Sequence, residues 1–219
     1  MRYLALIIVF LALPLAAQET ESRSGISLQP DAGDEFGAVF QAWLSPHQEG
    51  GEERDTPAVT PDVFKSFAPS VDRNDRPSRG HGTLAFTQDF SRAYAHVAIE
   101  GLEPKDIVMF HIHCGRPGQL GPIIVDFGLD HDLPALFADG ELSLEITNED
   151  IVATKESGHG LVGALTAGCP IVPSIPVDKV VTVAGLARIA FERELYFNLH
   201  TKGQMFFGDI RGQLHPVAQ

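Results

Sequence analysis

The chain has 219 residues and is acidic, with 16 Lys and Arg residues against 29 Asp and Glu residues and a net charge of −13. A protein with this charge repels phosphate backbones and anionic lipid surfaces, which argues against nucleic-acid binding. The sequence contains two cysteines and nine histidines. The sequence therefore contains the residues that a disulfide bond and a metal site require.

Residues 1–17 are predicted to be a secretory signal peptide. Arg2 precedes an apolar run that ends in small residues near Ala17, the pattern of a basic start, an apolar centre and a cleavage site. No second apolar segment approaches the length of a membrane span. We therefore expect an exported protein, periplasmic or extracellular, with no membrane insertion after cleavage.

The rest of the chain is predicted to hold one β-rich domain. Residues 18–35 are polar and aperiodic, which predicts a flexible leader. Residues 36–215 have the length and pattern of a single all-β domain. Inside it, residues 45–81 are rich in Pro, Gly, Asp and Arg, which predicts a long surface loop with at most one helical turn.

Alternating apolar runs separated by Gly and Pro turns predict a series of short strands. They cover residues 36–44, 83–88, 93–100, a stretch beginning at 107, and then 121–127, 141–147, 195–201 and 208–214. Short helices are expected at 148–154, with Asn148 as N-cap, and within 180–190, whereas 133–137 fits a loop or a short helix. The pattern is typical of an antiparallel β-sandwich or barrel.

Two histidines two residues apart mark the strand that begins at residue 107. Strand side chains alternate between faces, so His111 and His113 share one face with Met109. The other face is apolar and should point to the core, which turns the histidines outward. The same alternation turns His96 and His200 outward on their own strands.

These outward-facing histidines predict a metal site. If their strands are neighbours, His111, His113 and His200 can converge, with His96 and Met109 as further candidate ligands. Three imidazoles suit copper or zinc, and a thioether would favour Cu(I). The alternative is that the histidines are solvated or hydrogen-bonded to neighbouring groups without a metal.

The two cysteines, Cys114 and Cys169, are predicted to form a disulfide, since an exported protein folds in an oxidising compartment. The bond would close a loop of 55 residues (169 − 114). Such a loop stabilises by about 4 kcal/mol on the chain-entropy model. The competing interpretation makes Cys114 a thiolate ligand beside His113.

Two sequence blocks carry a family resemblance. The first is His111-Ile-His-Cys-Gly115 with Gly121-Pro and a β-run after it; the second is Asn198-Leu-His-Thr201 with Gly208-Asp-Ile-Arg-Gly-Gln213. Together they resemble the CHRD domain, which is named for chordin and also occurs in exported bacterial proteins. Leu44-Ser-Pro-His-Gln-Glu49 is similar to the family's Leu-Ser-Gly-x-x-Glu opening. The resemblance implies an all-β, immunoglobulin-like β-sandwich or barrel, here with short helical insertions, and leaves the biochemical role open.

The sequence favours a non-catalytic binding module that holds copper or another divalent transition metal. One alternative is a structural or protein-interaction domain without metal, which would have a protein partner. Another is a copper redox enzyme, because Phe110-His-Ile-His113 resembles the copper-ligand strand of Cu,Zn superoxide dismutases. No bridging-histidine and zinc-ligand loop follows Gly121, however, and no catalytic residue is assigned. Arg211 is interpreted as a structural clamp rather than an anion site.

Overall fold

A computed structural model describes residues 29–157 and 180–217 of the chain. In this part of the chain, nine strands form two antiparallel sheets, β1 to β9 in chain order. Their bounds are Phe36–Leu44, Arg79–Thr87, Ala93–Glu100, Ile107–Cys114, Ile123–Asp126, Glu141–Ile146, Leu195–Thr201, Ile210–Gln213 and His215–Pro216. The five-stranded sheet has the order β6-β3-β2-β1-β9, and the four-stranded sheet has the order β5-β4-β7-β8.

Among the described residues, three α-helices connect the strands. They are α1 at Leu133–Leu136, α2 at Asn148–Glu156 and α3 at Val183–Phe191. The helix α2 was expected to be capped by Asn148, which is wrong by one residue. The N-cap is Thr147, whose backbone N–H and hydroxyl both donate to the carboxylate of Asp150. Within the described residues, no helix has the length and hydropathy that a membrane span requires.

The core lies between the two sheets and follows the predicted alternation. Phe40 and Leu84 point inward from the five-stranded sheet, and Phe110, Ile112 and Phe197 point inward from the four-stranded sheet, all of them fully buried. The rings of Phe110 and Phe197 stack with their centroids 5.6 Å apart. Inward residues alternating with outward ones on both sheets are the arrangement of a β-sandwich. The predicted all-β fold class is confirmed.

Strand positions agree with the sequence pattern better than strand ends do. The strands β1 and β3 have the predicted bounds, while β2 begins at Arg79, four residues before the predicted Thr83. The additional residues pair with the end of β1, since Gly80 faces Leu44 in register. Glycines at 80 and 82 hid this extension, because they break the apolar alternation. The two-residue strand β9 has no pattern of its own and was not predicted.

Residues 45–81 were predicted to be a long surface loop with at most one helical turn. The structure differs at the end of this range, where residues 79–81 begin β2. The remaining residues 45–78, called the covering segment, include both exposed and buried side chains. Short 3-10 turns punctuate the segment at Pro46–Gln48, Glu53–Asp55 and Asp62–Phe64. Its polar groups bond to the chain between β7 and β8. Arg76 donates from Nη1 to the carbonyls of Gly208 (3.1 Å) and Asp209 (2.8 Å), and Ser78 donates to the Asp209 carboxylate (2.6 Å). The covering segment is therefore held against the four-stranded sheet.

Two predictions fall outside the described residues. The signal peptide at 1–17 is one of them. The other is the disulfide, because Cys169 is not described, although Cys114 is and lies fully buried in the core. Both stay predictions.

Candidate metal centre

Three of the histidines singled out from the sequence lie together on the four-stranded sheet. The strands β4 and β7 are antiparallel neighbours, with His111 opposite Asn198 and Met109 opposite His200. Because side chains alternate, His111, His113 and His200 project from the same sheet face. One potential ligand atom from each lies within 4.8 Å of the others, and within the described residues no other group of three such side chains does so.

The histidine face points away from the core between the sheets, as the alternation predicted, but it is not exposed to solvent. The exposed fractions are 1% for His111, 5% for His113 and 4% for His200. The chain after β7 crosses this face, and its carbonyl at Met205 is 2.8 Å from His200 Nδ1. The covering segment lies behind it, where the Ser66 hydroxyl accepts from the N–H of Met205. These three histidines therefore face away from the core as predicted, but they are not solvated; His113 and His200 are instead hydrogen-bonded to backbone carbonyls.

Two of the imidazoles have a hydrogen-bond acceptor outside the cluster that fixes their orientation. His113 Nδ1 is 2.8 Å from the carbonyl of Gly121, and His200 Nδ1 is 2.8 Å from the carbonyl of Met205, so we assign the ring protons of both to Nδ1. His111 Nε2 lies at ion-pair distance, 3.5 Å, from the Asp126 carboxylate. The Nε2 atoms of His113 and His200 then carry no proton, and His113 Nε2 is 3.3 Å from His111 Nδ1. Outer acceptors of this kind orient the histidine ligands of metal sites.

Burial keeps two of these imidazoles, His113 and His200, neutral. Removal from water lowers the pKa of His113 well below its ordinary value, and the neighbouring His111 lowers it further. Burial likewise lowers the pKa of His200 to about 3, with His111 as the second cause. A metal ligand must be a neutral imidazole. His113 and His200 can thus act as ligands at neutral pH without first releasing a proton.

A clamp holds the loop that orients His113. The guanidinium of Arg211 on β8 donates to the carbonyls of Arg116 (2.7 Å) and Gln119 (2.6 Å) and lies 3.4 Å over the ring of Tyr196. The other side of the Tyr196 ring stacks on His113, with the centroids 4.9 Å apart, while its hydroxyl accepts from the N–H of Gly121. Arg211 therefore has a structural role, as expected, and it acts on the loop and the aromatic ring that pack against His113.

Other candidate ligands from the sequence lie elsewhere. His96 is on β3 in the five-stranded sheet, exposed, with Nδ1 2.7 Å from the Ser143 hydroxyl. The alternation of side chains predicted correctly that His96 faces outward, but it could not predict which sheet contains β3. Cys114 points into the core and is not in the cluster, so its interpretation as a thiolate ligand is wrong. Met109 is half-buried and pairs in register with His200, which leaves it a candidate.

Comparison with known proteins agrees with the blocks seen in the sequence. The family model of the CHRD domain matches residues 40–214. The chain belongs to the CHRD family. No curated protein and no solved structure matches it.

Sequence reasoning missed two carboxyl groups of this CHRD domain. Asp126 is partly buried and is the last residue of β5, one residue before the predicted strand end at residue 127. Glu49 lies in the opening phrase of the family but was not considered as a site residue. Its carboxyl group is buried, and neither oxygen has a hydrogen-bond partner among the described residues. The same is true of Asn198 Oδ1.

Burial raises the pKa of Glu49 well above its ordinary value of 4.5, with Arg211 the largest opposing influence. In the unfolded chain the carboxyl ionises near 4.5, whereas the folded domain holds the proton to higher pH. The domain should therefore lose stability as the pH rises from about 4.5 to the raised pKa. We expect Glu49→Gln to stabilise it by about 1–3 kcal/mol at pH 7 and far less at pH 4.

Urea unfolding at both pH values measures this effect. Glu141→Gln is the control, because Glu141 is an exposed carboxylate on β6 and its replacement should leave the difference between pH 4 and pH 7 as in the wild type. Equal gains at both pH values would show that Glu49 is not the group responsible.

Proposed function

We propose that this CHRD domain is a binding module that holds one transition metal ion, copper or zinc, through His111, His113 and His200. The observation that carries the proposal is the convergence of three buried imidazoles with ligand atoms within 4.8 Å of one another. Three imidazoles are a frequent donor set for both metals. We also propose export to the periplasm or cell exterior, from the signal-like residues 1–17.

The inward nitrogen atoms support a cation between them. His113 Nε2, which carries no proton when Nδ1 donates to Gly121, lies 3.3 Å from His111 Nδ1. His200 Nε2 is buried and has no hydrogen-bond partner among the described residues. An unpartnered buried nitrogen costs about 1–3 kcal/mol. A bound metal ion would remove this penalty, and the 3.3 Å separation is close to the spacing of two nitrogens bound at about 2.0–2.1 Å in a tetrahedral site.

A domain without metal is the second candidate, and the outer hydrogen bonds of His113 and His200 favour it as much as they favour a ligand role. These bonds tie the sheet to Gly121 and Met205 and would help to hold the loops in place. A dismutase-type enzyme has less support, because the cluster is covered and, within the part of the chain that the structure describes, no second group of metal-ligating side chains lies beside it.

Metal titration of protein purified without an affinity tag tests the proposal. After removal of metal with a chelator, we expect calorimetry with Cu²⁺ and Zn²⁺ to show one ion bound per chain for at least one of them. The double variant His111→Ala/His113→Ala should lose this binding, while His96→Ala, which removes an exposed imidazole from the other sheet, should retain it.

Two results would decide against parts of the proposal. No uptake of copper or zinc by the wild type, or equal uptake by the double variant, would leave the domain without this metal site. Binding of copper together with superoxide turnover would support the enzyme instead of the binding module, whereas binding without turnover supports the module.

A further inference from the structure

The outer face of the five-stranded sheet carries a groove of about 490 Å³. This volume falls in the range of about 300–1,000 Å³ that is usual for small-molecule sites. The histidine cluster lies on the other sheet, and none of its residues lines the groove. The lining includes Trp43, Ser45, Arg79, His81, Ala98 and Glu100.

An exposed tryptophan forms one wall of the groove. Trp43 is 67% exposed, although its neighbours Ala42 and Leu44 are each only 1% exposed. Its indole packs on the imidazole of His81, its partner across β1 and β2, with the ring centroids 4.2 Å apart and an angle of 35° between the rings. His81 therefore supports one side of the indole and leaves most of the ring open. A large aromatic ring held in place and open to solvent is typical of a binding surface.

The rim of the groove combines opposite charges. Arg79 and Glu100 are exposed partners across β2 and β3, so their charges cancel locally while their planar groups offer both donors and acceptors. His81 adds Nε2, which is buried and has no hydrogen-bond partner among the described residues. An anionic ligand would be repelled by Glu100 and by the net charge of −13. A cationic ligand would be repelled by Arg79. The rim therefore suits a neutral ligand with many hydroxyl groups.

We propose that this groove binds a neutral saccharide. The apolar C–H face of a sugar ring packs on the open indole of Trp43, and ring hydroxyls bond to the guanidinium of Arg79 and the carboxylate of Glu100. Ala98, the partner of His81 on β3, has a small side chain and leaves space for the sugar ring in the groove. An aromatic surface with a few convergent polar groups is the usual composition of a small-ligand site.

The test uses the fact that Trp43 is the only tryptophan of the chain, so its fluorescence reports on the groove. Soluble cello-, xylo-, chito- and malto-oligosaccharides are titrated into the full chain. We expect at least one of them to cause a saturable blue shift. The shift should persist in EDTA and in His111→Ala/His113→Ala, because the groove and the histidine cluster are separate. Saccharide binding and metal binding can thus fail independently.

Calorimetry with the active saccharide then compares two exposed aromatic residues of β1. We expect Trp43→Ala to weaken binding at least about tenfold, and Phe36→Ala to change it less than about twofold, because Phe36 is 61% exposed but does not line the groove. The proposal is overturned if none of the saccharides shifts the fluorescence or if Trp43→Ala binds as the wild type does. It is also overturned if tetramethylammonium chloride, a cation–π probe, gives the only saturable shift.

Discussion

Replacing Arg211 with methionine is expected to destabilise the CHRD domain by about 3 kcal/mol or more. The change removes the donors of the Arg116 and Gln119 carbonyls, which lie on the loop between β4 and β5. It also removes the cation over the ring of Tyr196, an interaction worth up to about 2 kcal/mol when desolvated. The energy regained by no longer burying a charge offsets only part of this loss, because the loop loses both hydrogen bonds to the guanidinium and the Tyr196 ring loses its cation.

Arg211→Lys should recover little of the lost stability. A lysine has one ammonium group, and it cannot reproduce the planar fork that reaches two carbonyls while stacking on an aromatic ring. The control is Arg188→Met, since both side chains of its ion pair with Glu192 are exposed, by 68% and 46%, and the pair should contribute less than about 1 kcal/mol. Urea unfolding of metal-free protein measures all three variants. A loss in Arg211→Met no larger than in Arg188→Met would contradict the clamp.

Arg211→Met should also disturb the histidine cluster, because Arg211 holds the loop between β4 and β5. Arg211 and Tyr196 hold the loop that ends at Gly121, whose carbonyl orients His113. Gly121 itself has no space for a side chain, because a Cβ atom there would collide with the carbonyl oxygen of Cys114. We therefore expect Arg211→Met to weaken metal binding as well as stability, with the folded fraction measured in the same samples.

Alternation along single strands explains why so much of the site was predictable. A strand determines which residues share a face, and this placed His111 beside His113 and turned His200 to the outer side of its strand. The pattern says nothing of which strands are neighbours. The pairing of β4 with β7 joins residues far apart in the sequence, and His96, equally outward, lies on the other sheet.

The burial of the histidine face could not be predicted from the sequence, because segments without regular secondary structure cover that face. The covering segment has no period, and it is held by contacts such as Arg76 to the carbonyls of Gly208 and Asp209. Contacts from a side chain to a distant backbone leave no pattern in the sequence. The composition of residues 45–81 predicted an absence of regular structure, and residues 45–78 contain only three short 3-10 turns. Composition does not show which side chains of such a segment are buried, as Glu49, Glu52 and Arg76 are.

Metal binding should raise the melting temperature of the domain, and His200→Ala should abolish this rise. A ligand that binds only the folded state at a hundred times its dissociation constant stabilises that state by about 2.7 kcal/mol. For a domain of this size the gain corresponds to a rise in melting temperature of roughly 5–10 °C. The wild type and His96→Ala should both show this rise with the metal that titration identifies. His200→Ala should not, because it takes one of three ligands from a site that is otherwise intact.

The metal-free proteins separate this effect from loss of the fold. His200→Ala also loses the bond to Met205, so its metal-free melting temperature should lie below that of the wild type. What distinguishes a ligand from a structural histidine is the increment on adding metal. If His200→Ala gains as many degrees as the wild type, the metal binds without His200, and the cluster of three imidazoles is not its site.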